Sequence, residues 1–210
     1  QQHFSSTSSR TLNNAVTGIP EYVLVRTAPV DSPEARALGA SALAPEQAKN
    51  LTAGLTWEGF GLEASVDVYR IDIDDRIFLS SNFVDAGSST AIRDFLAVNG
   101  APGVTSVRFF GNAGDTRTEG VDVTLRRRWQ FDAGRLTATA GFNRNRTELL
   151  RVAATPAPLQ GLGVQTPFLD VTERTRISEG QPRNNTVLSL DWNAARWSAH
   201  LGAHRYGETR

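Results

Sequence analysis

The sequence predicts an all-β fold: an antiparallel, up-and-down transmembrane β-barrel, seen in part as about seven strands. Three observations carry this. Apolar and polar residues alternate along successive segments, short turns alternate with long connections, and all four tryptophans lie beside the short turns. The N-terminal 46 residues read as a long connection preceded by the end of a strand.

Residues 50–57, NLTAGLTW, place Leu51, Ala53, Leu55 and Trp57 on one parity, and EGFG (58–61) reads as a tight hairpin turn. LEASVDV (62–68) alternates again. The apolar parity then slips at Tyr69, Ile71 and Ile73, which predicts a bulge or the strand's exit from the bilayer. A long connection spans roughly 79–106. The strand after it ends with Val121, Val123, Leu125 and Trp129 facing one way and Asp122, Thr124, Arg126 and Arg128 the other. FDAG (131–134) turns the chain into LTATAGFNRN (136–145), and a second long connection covers about 148–181. NTVLSLDW (185–192), the turn NAAR (193–196) and WSAHLGAH (197–204) complete the pattern.

A soluble sandwich rarely contains loops longer than about 15 residues. Outer-membrane barrels combine short periplasmic turns with long outer loops. Trp57, Trp129, Trp192 and Trp197 share the apolar parity at the turn ends. That is the arrangement of a membrane-interface girdle, whose amphipathic rings sit at headgroup level. A β-sandwich core has no reason to gather every tryptophan at one end of its strands. Eight steps from Val121 to Trp129 cover roughly 26 Å, and about 20 Å of rise at a 40° tilt, close to an apolar band of about 25 Å. Asp122, Thr124, Arg126 and Arg128 are then the expected lumen-facing set. Arg127 and Arg144 take the lipid parity, the first near Trp129 and the second at the opposite interface among outer-leaflet phosphates.

The long connections are expected to hold short helices. DSPEARALG (31–39) has Ser32 as cap, Pro33 at the first helical position, Glu34 in the first turn and Gly39 as stop. SSTAIRDFLAVNG (88–100) repeats this logic and ends at Asn99-Gly100. Its apolar stripe, Ile92, Phe95 and Leu96, packs against a neighbouring loop or contacts a ligand. Residues 152–169 are uncharged, but Pro156, Pro158 and Pro167 make them a loop and not a membrane helix.

Composition narrows the function. The 210 residues carry no net formal charge, which argues against nucleic-acid binding. They contain no cysteine for disulfides or thiolate metal sites. The DIDDR run (72–76) lacks the glycine and spacing of a calcium loop. His200 and His204 are about 13 Å apart along a strand, too far to share a metal. No nucleophile elbow, P-loop or dinucleotide fingerprint occurs, so no catalytic residue, cofactor or metal site is assigned.

APEQAKNLTAGLTWE, VDVYRIDIDDRI and FFGNAGDTRTEGVDVTLRRRW together resemble the β-barrel domain of TonB-dependent outer-membrane receptors. RTAPVDSPEARALGA resembles an extracellular loop in one branch of that family. The resemblance covers essentially the whole chain and is strongest over 45–129. It implies a 22-strand barrel of which this chain is a fragment, with the N-terminal plug domain and the C-terminal strand absent. It also implies a bacterial outer-membrane location and active uptake of a scarce nutrient: a siderophore-bound iron, cobalamin, haem or an oligosaccharide. The implied partners are outer-membrane lipid and lipopolysaccharide, the small-molecule or oligosaccharide ligand, and the TonB complex through the missing N-terminal region. A passive porin-like barrel is the alternative, and a soluble β-sandwich binding module is a third reading. The sandwich predicts that the apolar faces meet in a dry core.

Overall fold

A computed structural model of the chain describes residues 5–13, 20–85 and 89–209. The elements run β1 (Ser6–Asn13), β2 (Pro20–Ala28), α1 (Pro33–Ala37), β3 (Gln47–Gly59), β4 (Leu62–Leu79), β5 (Phe83–Val84), α2 (Ala91–Val98), β6 (Ser106–Phe131), β7 (Gly134–Val152), α3 (Ala157–Gly161), α4 (Val171–Glu179), β8 (Asn184–Asn193) and β9 (Ser198–Tyr206).

Six strands form the expected meander: β3 pairs with β4, β4 with β6, and β6 through β7 and β8 to β9. The sheet is open, as in a partial barrel. The three turns fall where the sequence places them. At the first, Phe60 and Gly61 both have positive φ (54° and 73°), the signature of a two-residue type I′ hairpin. The register of the last three strands holds the predicted parity in line. Leu136, Ala138, Ala140 and Phe142 face Trp192, Leu190, Leu188 and Thr186. In turn Leu188, Leu190 and Trp192 face Ala203, Leu201 and Ala199.

Several details differ from the sequence reading: helices α3 and α4 form in the connection read as a loop, and two strand features change. The N-terminal connection contains an antiparallel hairpin, β1–β2, from Ser6↔Thr27 to Asn13↔Pro20. Its second strand pairs parallel with the start of β6, Val25↔Ser106 to Ala28↔Phe109. With β5 this brings the count among the described residues to nine strands. The parity also does not slip at Tyr69. The Tyr69 side chain lies over Gly120 and beside Asn143, on the face that carries Asp122, so the strand continues in phase. The irregularity comes later, at Asp75, whose φ is 53°.

Both loop helices form. Ser32 caps α1 by accepting from the Ala35 N–H at 3.3 Å, and Gly39 stops it at φ 94°. Helix α2 ends at Asn99 and Gly100, the latter at φ 93°. Its cap is not the adjacent Thr90: the Asp85 carboxylate accepts from the Ile92 and Arg93 N–H groups. Ser88, the first residue of the predicted helical segment, lies outside the described residues.

Contacts divide the chain into two compact units. The first holds residues up to Gln47, Asp74–Asp115 and Leu150–Arg174; the second holds Ala48–Ile73, Thr116–Leu149 and the residues from Thr175 onward. Among the described residues every fully buried hydrophobic side chain belongs to the first unit. The second unit contains the short turns, and its described residues form no dry core.

Candidate functional site

The second unit presents two chemically opposite faces. On one, Leu51, Leu55, Val66, Val68, Leu125, Leu188, Leu190 and Leu201 are exposed. Such a sheet in water would leave an apolar surface with nothing to cover it. Aromatic rings edge this face beside the turns. Phe131, Trp192 and Trp197 form a chain with centroids 5.9 and 6.2 Å apart. The Arg127 guanidinium sits 5.2 Å from the Trp129 ring centroid. Trp57, 48% exposed, lies against Gly59 at the first turn. The four tryptophans expected in a girdle thus lie at the turn ends of their strands, Trp129 and Trp192 half-buried and Trp57 and Trp197 exposed.

The other face is polar and cross-linked. The Asn143 amide donates to Asp122, and that of Asn145 donates to Asn143 at 2.9 Å. Arg128 pairs with Glu63 through its two terminal guanidinium nitrogens. His200 Nδ1 lies 2.7 Å from Asp191 across the β8–β9 register. Thr124 and Arg126 line an open depression of about 560 Å³ with Thr56, Trp57, Glu58, Glu63, Ala64 and Ser65. Asp122, Thr124, Arg126 and Arg128, the residues expected to face a lumen, share the parity of this polar face.

Past the apolar band, charge replaces hydrocarbon. Two residues on from Val68, Arg70 bonds Asp72 at 2.8 Å, and Arg117 bonds the other Asp72 oxygen at 2.6 Å. These two guanidinium groups, Arg117 foremost, hold the Asp72 carboxyl below the usual carboxylate range. Two members of the DIDDR run, Asp72 and Asp75, are held in ion pairs with arginine. Among the described residues no three acidic or histidine side chains gather as metal ligands.

The first unit is a packed assembly of connections. Phe83, Phe109 and Phe168, drawn from three distant segments, meet with centroids 5.8 to 6.2 Å apart. Around them Leu38, Ile92, Leu96, Leu159 and Leu169 are sealed from solvent. Ser80 and Ser81 stitch strand to loop. The Ser80 N–H donates to the Phe109 carbonyl, and the Ser81 N–H donates to that of Phe168. Arg151 clamps Asp115 through two nitrogens and also reaches Asp75. The Arg151 hydrogen bond holds the Asp115 carboxyl below its ordinary value, with a bond from the Asp75 N–H adding to it.

Of the three ligand-contact candidates on α2, Ile92 and Leu96 are 0% exposed, so the first of the two expectations, packing against a neighbouring loop, accounts for both. Phe95 alone is half-buried. The sequence reading missed a cleft of about 180 Å³ between residues 39–42, β6 and residues 153–156. Phe109, Phe110, Asn112, Pro156 and Phe168 line it, and its walls carry no ionisable side chain. No local signal marks this cleft, because its walls come from segments over 100 residues apart.

An open meander with one exposed apolar face, aromatics at its turns, and one polar face is the wall of a membrane β-barrel. The chain matches the family model of TonB dependent receptor-like β-barrels over residues 5–210. It belongs to that family, whose members are outer-membrane receptors acting in transport. A search of curated proteins finds no match.

Proposed function

We propose that this chain supplies barrel wall and outer loops to a receptor that captures a scarce nutrient and imports it with energy from the TonB complex. The TonB contact and the plug lie in a region preceding this one. The observation that carries the reading is the dry core of the first unit. Loops of a passive pore need only connect strands, whereas these bury three phenylalanines and hold a cleft in fixed shape. A preformed loop surface lowers the ordering cost of binding.

Cargo contact falls to Phe95 and to the uncharged cleft beside Phe109, Phe110 and Asn112, with Ile92 and Leu96 fixing the helix behind Phe95. The cleft fits a neutral ring-sized part of a cargo, stacked on phenylalanine and hydrogen-bonded to backbone. Asp122, Thr124, Arg126 and Arg128 face the passage, and the four tryptophans anchor the wall in the inner leaflet.

The test replaces residues 82–104 of the full-length receptor with a short Asn-Gly turn. This removes β5 and α2 and leaves the strands of the second unit untouched. The barrel is expected to reach the outer membrane while cargo binding and TonB-dependent uptake are lost together. Unchanged uptake in an assembled variant refutes the capture role. Uptake that persists without TonB favours the porin alternative.

A further inference from the structure

We infer that the apolar face carries a binding site for one phospholipid of the inner leaflet. The face is not uniform. Along β7 its consecutive side chains Ala138 and Ala140 are small, and the register places Leu190 and Leu188 opposite them on β8. Leu62 and Leu125 rise on the other side. The result is a groove of about 330 Å³ with almost purely apolar walls, running along the strand. The alanine floor covers two same-face positions, about 7 Å of strand, and with leucine walls it takes a segment of a flexible hydrocarbon chain by dispersion contact.

Arg127 borders the same groove. It is the one arginine on the apolar parity inside the aromatic edge, and it has no carboxylate partner among the described residues. Its neighbours contrast with it, because Arg128 is held by Glu63. Stacking over Trp129 holds the Arg127 guanidinium at headgroup level on the short-turn side. Two of its N–H groups are geometrically suited to a phosphate diester. A short apolar groove bordered by a guanidinium matches a phospholipid: a segment of one acyl chain in the groove, phosphate on Arg127. The short-turn side is the periplasmic side of such barrels, so the lipid comes from the inner leaflet.

The experiment uses the full-length receptor in detergent, stripped of lipid and re-exposed to phosphatidylglycerol, with adducts counted by native mass spectrometry. One retained lipid per barrel is expected. Arg127→Gln is expected to cut occupancy at least tenfold, because a neutral amide with one remaining hydrogen bond replaces a charged double donor, a loss of about 1.4 kcal/mol or more. Ala140→Phe fills the groove and is expected to abolish retention. Leu55→Phe, on the same face but outside the groove, should retain the lipid. Diacylglycerol with the same chains should not be retained. Equal retention across these variants, equal retention of diacylglycerol, no retained lipid, or a dimer mass in place of the adduct would each overturn the assignment. Heat-resistant migration of every variant confirms that the barrel is intact.

Discussion

Leu188 and Ser189 are neighbours on β8 that face different surroundings. Leu188 is 51% exposed and stands between Ala140 and Ala203; Ser189 stands between Thr139 and Gly202 on the opposite face. Leu188 is four residues from Trp192, about 13 Å along the strand and about 10 Å of rise at a 40° tilt. That depth is close to the middle of an apolar band about 25 Å tall. An arginine there costs about 2–4 kcal/mol. At about 2.8 kcal/mol the folded-to-unfolded ratio falls a hundredfold. If the face met water instead, Leu188→Arg would be an ordinary surface change within about 0.5 kcal/mol. The assay is urea-dependent folding of the full-length receptor into lipid vesicles, comparing Leu188→Arg with Ser189→Arg. A large loss for the first and a small one for the second is expected. Equal costs would refute the assignment of faces.

Two further outcomes concern the loop unit. Phe168→Ala removes a ring that contacts both Phe83 and Phe109 and is 4% exposed, so the loops should lose about 3–5 kcal/mol of local stability. Hydrogen exchange should rise in residues 80–110 while the barrel stays heat-resistant in detergent gels. The folded-state pKa of Asp115 is depressed. Its contribution is therefore present above the ordinary carboxylate pKa of about 3.9, and is lost as pH falls below that toward the depressed value. Loop protection from protease should weaken below about pH 4. Asp115→Asn should remove most of that pH dependence.

The legibility of this chain follows the range of its interactions. A hairpin, a parity and a helix cap are decided within a few residues, so the turn at Phe60-Gly61, the face of Leu188 and the start of α1 at Ser32 could be read directly. The hairpin β1–β2 could not. SSRTLN has no apolar alternation, and β2 owes its place to a parallel partner some 80 residues away. Helix α2 was legible and its exposed surface was not. Its stripe reads the same whether a ligand or a protein core covers it, and Phe83, Phe109 and Phe168 decided for the core. The supposed slip at Tyr69 arose from composition. The polar face tolerates an aromatic ring where Gly120 leaves room for it, so an apolar residue there did not mean a change of phase.

The division of β8 and β9 into a lipid face and a wet face can be measured directly. Single nitroxide labels are placed at each position from 186 to 192 and from 199 to 205 in the full-length receptor reconstituted in vesicles. Collision rates are then recorded with oxygen, which concentrates in lipid, and with a nickel chelate, which stays in water. The account predicts a period of two in both strands. Oxygen should dominate at 188, 190, 201 and 203, and the chelate at 187, 189, 191, 200 and 202. Equal access of the chelate to both parities, or protection of the leucine positions from both reagents as in a dry core, would contradict it.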